Sequence, residues 1–193
     1  MFELLHQKVS GTISLSDEQF DFCKTLFQPK KLRKKRFLLG EEDVCKHIAF
    51  EEKGVLRSFV IDEKGAEHIL QFSLDGWWVS DLSSFLTGEP SQYNIEALEE
   101  CELLLLDKAS WNHLLEEIPA FERYFRMLIQ NNLIVTQRRL IAAFSNTAEE
   151  RYHQLLQYFP DIIHRVPQHM IASYLGITRE TLSRVRGQLA ARK

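Results

Sequence analysis

Apolar residues near the start of the chain recur at helical spacing. Phe20, Phe22, Cys23, Leu26 and Phe27 fit one face, so residues 1–28 read as helical, with Ser14 or Ser16 as cap and Pro29 as stop. From about Lys30 to Lys108 the pattern shortens to that of strands. Phe37–Leu39, His47–Phe50, Val55–Ile61, Ile69–Phe72, Trp77–Val79, Tyr93–Ala97 and Leu103–Leu106 are short apolar runs separated by turn sequences. Asp62-Glu63-Lys64-Gly65 joins two of them as a hairpin, with glycine where a positive φ is needed. Many short strands spaced by roughly 8–12 residues predict a sandwich or roll closed by hairpins.

Beyond the strands the helical period returns. Asp107 is placed to cap a short helix over Ala109–Glu117, and Pro119 opens the next one. Residues 120–144 contain neither Pro nor Gly and predict one long helix of about 25 residues, roughly 37 Å at ~1.5 Å per residue. Its apolar positions form two stripes. Phe121, Phe125, Leu128 and Val135 lie on one, which passes through Asn132; Ile129, Leu133, Leu140 and Phe144 lie on the other. A helix apolar on two faces needs two partners, which suggests the β-domain on one side and a second copy of the chain on the other. The dimer contact is assigned to Phe121, Phe125, Leu128, Asn132 and Val135, with intrachain packing of both stripes left open. Asn131 or Asn132 would set the register of a paired coil. Thr147-Ala-Glu-Glu150 is a capping box that starts a new helix running to about Tyr158, ended by Pro160. The expected fold class is α+β. Residues 1–118 form a β-roll domain with flanking helices, 119–145 a long dimerisation helix and 146–193 a third segment.

Charge changes the picture of that third segment. The net charge is −3. From Ile162 to Lys193 six Arg or Lys face the single acid Glu180, a net +5, so the rest of the chain carries −8. A polyanion would be approached tail-first. Cys23, Cys45 and Cys101 are sparse, odd in number and lack a CxxC pair, which fits a reducing cytoplasm. The start lacks the pattern of a signal peptide, and no apolar run reaches the ~18–20 residues of a membrane span, so no membrane partner is expected.

Residues 167–186 meet the demands of two helices crossing at a tight turn. Pro167 suits a first helical turn, Ala172 is small where helices approach, and Gly176 falls four residues later at the turn. Ile177 plugs the turn and Thr178 is a good cap for the second helix. Leu182, Val185 and Leu189 give that helix a buried stripe. Glu180 and Arg184 lie opposite it, with Arg179 and Ser183 on the flank. Such a face suits the major groove: arginine can donate twice to guanine, and glutamate can accept from cytosine. Thr178, Thr181 and the free amides of the helix start are placed for phosphates, and Gln168 and His169 are counted with the DNA-contacting set. An ordinary surface pair at i,i+4 would explain Glu180 and Arg184 alone. It does not explain small residue, glycine, cap and stripe in register.

At this point the chain resembles the Crp/Fnr transcription regulators, most closely in Leu175-Gly-Ile-Thr-Arg-Glu-Thr-Leu-Ser-Arg184. The likeness extends over nearly the whole chain: a β-roll of the cyclic-nucleotide-binding type, a long dimerising helix, then a helix-turn-helix. The resemblance implies a non-enzymatic regulator that binds double-stranded DNA as a homodimer on pseudo-palindromic sites, with RNA polymerase as a further partner. The family often adds a β-hairpin wing after the recognition helix. None is expected here, where the sequence stops at Lys193. In members that bind cyclic AMP, a glutamate takes the ribose hydroxyl and an arginine followed by Ser or Thr neutralises the phosphate. Here Asp81 matches the glutamate, but Ser91 or Gln92 stands where the arginine should be. A buried phosphate without a cation is costly, so no cofactor, cyclic AMP included, is expected. Asp81, Ser91, Gln92 and Tyr93 remain the candidate effector pocket. Trp77 and Trp78 could line it, although core packing suits them better. Cys23, Cys45 and Cys101 do not cluster as iron–sulfur ligands, and nothing marks His47 or His68 for haem.

Two other readings compete. A metal-dependent, cupin-like roll needs several histidines and a carboxylate to converge, yet only His47 and His68 fall among the strands, without an H-x-H pair. No metal site is therefore expected, and no Ser/His/Asp set or phosphate loop supports an enzyme. The basic run Lys30-Lys31-Leu32-Arg33-Lys34-Lys35-Arg36 raises a second nucleic-acid contact, but a solvated strand edge explains it more simply.

Overall fold

The fold comes from a computed structural model that describes residues 1–191; Arg192 and Lys193, counted above in the basic tail, lie outside the described residues. Two helices, α1 (Glu3–Ser10) and α2 (Asp17–Leu26), precede the strands. The predicted single helical stretch is broken because Ser16 caps α2 in a capping box with Gln19. Pro29 does not mark a stop. It lies inside β1 (Gln28–Leu32), which is an edge strand, where a missing amide is tolerated.

The strands continue as β2 (Phe37–Leu39), β3 (His47–Lys53), β4 (Val55–Ile61), β5 (Glu67–Leu74) and β6 (Trp78–Val79). Helix α3 (Leu82–Thr87) interrupts them before β7 (Asn94–Ala97) and β8 (Cys101–Asp107). They form two four-stranded sheets, ordered β1-β8-β3-β6 and β2-β7-β4-β5. The antiparallel register places Phe50 opposite Leu104 and Ser58 opposite Ile95. Alternate residues face opposite sides of each sheet, and Phe50, Leu56, Ile95, Leu103, Leu104 and Leu106 are all buried. Burying each such side chain contributes about 1.5–3 kcal/mol. One charged pair sits nearly buried in this layer: Arg57 bonds Glu96 across β4 and β7 at 2.6 Å and stacks on the Phe59 ring. The β4–β5 turn is built as expected. Gly65 has φ +79°, and Asp62 accepts the amides of Lys64 and Ala66.

Helices follow: α4 (Lys108–Glu117), capped by Asp107, then α5 (Ala120–Ser145), α6 (Ala148–Tyr158), α7 (Ile162–Arg165), α8 (Gln168–Leu175) and α9 (Arg179–Ala191). The chain divides into two compact units, one of residues 1–60 with 71–129 and the other of 61–70 with 130–193. The division falls within α5, not at its ends, and assigns the β4–β5 turn to the second unit.

In the first unit the early turns of α5 complete the core. Trp78 meets Phe50 at 5.2 Å and Phe125 at 5.0 Å between ring centres, and Trp111 meets Phe125 at 4.0 Å. The Trp78 indole donates to the Tyr124 hydroxyl at 3.0 Å. Phe121 and Phe125 are thus buried in the chain's own core, and Leu128 packs against it. This corrects the assignment of those residues to a dimer contact. The aromatic partners Trp78 and Trp111 come from distant sequence, so the helix period alone did not reveal which stripe they claim. Asn132 and Val135 are exposed, as are Ile129, Leu133, Leu140 and Phe144 on the other stripe.

Candidate nucleic-acid interface and effector cassette

The second unit packs α6, α8 and α9 around Tyr152, Leu155, Ile171, Ala172, Leu182 and Val185, all buried. A Thr147–Glu150 capping box starts α6, as its sequence requires. Gly176 ends α8 at φ +65°, ψ +39°, a left-handed position that costs glycine little. The Ile177 amide then bonds the Ala172 carbonyl at 3.0 Å, closing the turn over the small residue. Pro167 occupies the cap position of α8 rather than its first turn.

Thr178 Oγ1 accepts the Thr181 amide at 3.2 Å, the bond that defines an N-cap. With Leu182 and Val185 turned inward, Arg179, Glu180, Ser183 and Arg184 are all exposed, and Thr181 is half-buried. A hydrogen bond from its own amide, aided by the Thr178 hydroxyl, holds the Glu180 carboxyl below the usual value. It therefore stays ionised, an acceptor only, through neutral pH. Gln168 and His169 are exposed at the start of α8. His169 and Arg179 share a small pocket of about 390 Å³ with Ala66, Glu67 and Ile69 of the β4–β5 turn. Ser173 ties that turn down: its hydroxyl accepts the Ile69 amide at 3.0 Å and donates to the Glu67 carbonyl at 3.1 Å. Sequence reasoning missed this contact, because nothing local to residues 61–70 or to Ser173 marks a partner about a hundred positions away.

The candidate effector residues come together in the first unit, but they bind one another. Asp81 caps α3 by accepting the Ser84 amide at 3.0 Å with Oδ1. Its Oδ2 accepts from the Ser91 hydroxyl at 2.8 Å, and Asp81 and Ser91 are both buried. The Tyr93 hydroxyl donates to the Ser80 carbonyl at 3.0 Å; burial, with Asp81 nearby, pushes this phenol up in pKa. Gln92 is exposed. Trp78 serves the aromatic core already described.

Among the described residues no three His, Cys, Asp or Glu converge to hold a metal ion. His47 is half-buried and loses basicity to desolvation, and His68 bonds Asp62 at 2.8 Å at the exposed hairpin end. The three cysteines are buried as free thiols. In the basic run, Lys30 and Lys31 lie on the edge strand β1 and Arg33 to Arg36 on the following turn, all exposed. No helix among the described residues is long and apolar enough to cross a membrane.

The cyclic nucleotide-binding domain family matches residues 29–118, the span of the two sheets with α3 and α4. The fumarate and nitrate reduction regulatory protein of Vibrio cholerae serotype O1 is 24% identical over 91% of this chain and 74% of its own length. The transcriptional activator protein anr of Pseudomonas aeruginosa is 26% identical over 90% of this chain and 75% of its own. Among solved structures, FixK2 from Bradyrhizobium japonicum superposes with a TM-score of 0.71 at 20% identity, covering 86% of this chain and 85% of that one. Over about nine-tenths of its length the chain is thus similar to curated transcription regulators, in line with its resemblance to the Crp/Fnr family.

Proposed function

We propose that this chain is a Crp/Fnr regulator that reads duplex DNA through α9 as a homodimer, and that its roll takes no cyclic nucleotide. The observation that carries the first part is the sidedness of α9. Leu182 and Val185 hold it to the unit, while Arg179, Glu180, Ser183 and Arg184 stand free on the opposite side. In a major groove Arg184 would donate to a guanine edge and Glu180 would accept from cytosine. Thr178, Thr181 and the helix start would hold phosphates. Two copies joined along α5 would place the recognition helices on half-sites about one turn apart (~34–36 Å) or a multiple of it. The joining seam runs through Ile129, Leu133, Leu140 and Phe144, which step by four and seven and are exposed.

Selection from random duplexes tests this reading. An inverted repeat is expected, and Arg184→Ala should relax one base per half-site at a cost of about 1–3 kcal/mol. An unchanged motif in the variant would remove Arg184 from base reading. Failure to enrich any duplex would end the proposal.

A further inference from the structure

The second unit contains a cavity of about 680 Å³ between the last turns of α5, helix α6 and helix α8. Its walls are mainly apolar, with Leu155, Tyr158, Phe159 and Tyr174 among them. Three arginines also line it, Arg138, Arg139 and Arg151, and no Asp or Glu does. None of the three has an ion-pair partner among the described residues.

Two of these guanidinium groups are anchored from behind. Arg139 donates to the Leu70 carbonyl and stacks on the Tyr174 ring at 4.7 Å. Arg151 Nη1 donates to the Leu175 carbonyl at 2.7 Å, while its Nε is buried and finds no acceptor. A buried donor left without an acceptor is costly, and like charges lining one hollow repel. An anion entering the hollow would offset the repulsion among the guanidinium groups. The size falls within the ~300–1,000 Å³ of small-molecule sites, which are also mostly apolar with a few polar groups that orient the ligand.

We propose that this cavity binds a small amphipathic anion: one acidic headgroup, met by the arginines, on an aromatic or aliphatic body that fills the apolar wall. Charge complementarity excludes a cation, and the apolar walls argue against a bare inorganic ion. The dimer seam meets the cavity at Leu140, while Ile129, Leu133 and Phe144 do not line it. Occupancy would be felt at the DNA-reading end, because the carbonyl that Arg151 holds belongs to Leu175, the last residue of α8 before Gly176. That consequence rests on the DNA-binding reading; binding itself does not.

Fluorescence titration of the full chain with 8-anilinonaphthalene-1-sulfonate, an apolar body bearing one sulfonate, tests the site. Saturable binding of one probe per chain, displaced by decanoate but not by decanol, is the expected result. Arg138→Met, at an exposed position, and Arg151→Lys, which keeps the charge but loses the fork, should each weaken binding at least tenfold with unchanged circular dichroism. If Arg151→Lys disturbs the fold, Arg138→Met alone decides. Equal displacement by decanol, equal affinity in the variants, or no saturable binding would overturn the proposal. Displacement by cyclic AMP at lower concentration than decanoate would overturn the ligand class. Binding that disappears as the chain self-associates would hand the cavity to a second copy. None of these readouts uses DNA, so their failure leaves the DNA-binding reading standing.

Discussion

Ser91 donates its hydroxyl proton to Asp81 across the mouth of α3, at 2.8 Å, with both side chains buried. The bond joins the two positions that the resemblance expects to meet the ribose and the phosphate of a cyclic nucleotide. A ligand entering here would have to break a hydrogen bond to a carboxylate and bring its own negative charge beside it. Cyclic AMP at millimolar concentration should therefore leave the thermal midpoint unchanged. A bound ligand at a hundred times its Kd would add about 2.7 kcal/mol and be plainly visible. Ser91→Ala should itself destabilise the fold by about 1–3 kcal/mol, since Asp81 loses a buried donor. A ligand-induced rise in the wild type would refute the closed cassette.

That Ser91 or Gln92 stands where the resemblance expects an arginine was legible in the sequence. What the sequence did not contain was the consequence, because Asp81 and Ser91 meet only once α3 and the following loop have folded. The same contrast runs through the molecule. The helix-turn-helix could be read residue by residue, since cap, glycine, small residue and stripe all act within twenty positions. Strands, turn glycine and the caps at Asp107 and Thr147 were likewise local. The partner of a stripe is not local. Phe121 and Phe125 have the spacing of a dimer seam, and only Trp78 and Trp111, brought in by the roll, show which surface claims them. The tie between Ser173 and the β4–β5 turn escaped for the same reason.

Acid should weaken the junction between β8 and α4. Asp107 sits below its ordinary carboxylate value of 3.8, chiefly because it accepts the Ser110 amide as helix cap. A carboxyl whose pKa is lower in the folded state contributes fully above its unfolded value. That contribution is lost as pH falls through the folded one. Urea midpoints should thus begin to drop near pH 3.8 and continue to drop below it. Asp107→Asn keeps an acceptor oxygen but cannot titrate, so its acid limb should be shallower. Asp107→Ala should cost about 1 kcal/mol at neutral pH. An identical acid limb in the Asn variant would show that the cap is not what titrates.

The thiols should be silent to mild reagents. Burial pushes Cys23 and Cys101 up to about 12, and Cys45 is raised by the same cause. Only thiolate attacks a disulfide reagent, and at neutral pH almost none is present. Ellman's reagent should titrate none of the three in the native protein and all three in denaturant. Rapid reaction of one native thiol would show that its segment opens.

The two stripes of α5 should separate stability from association. Phe125 lies against Trp78 and Trp111, so Phe125→Ala removes core and should cost about 3–5 kcal/mol. Leu133 and Leu140 are 56% and 58% exposed, so a charge there disturbs little within one chain. In a symmetric pair, however, Leu133→Glu sets two carboxylates together in an apolar seam. Sedimentation should then report a monomer with an unchanged thermal midpoint at low concentration. DNA affinity should fall toward that of a single half-site, because the second recognition helix is no longer tethered. If Leu133→Glu and Leu140→Glu both sediment like the wild type, the seam is not where the copies meet. If they sediment as monomers but keep full affinity for the inverted repeat, the α5 pairing does not serve DNA binding.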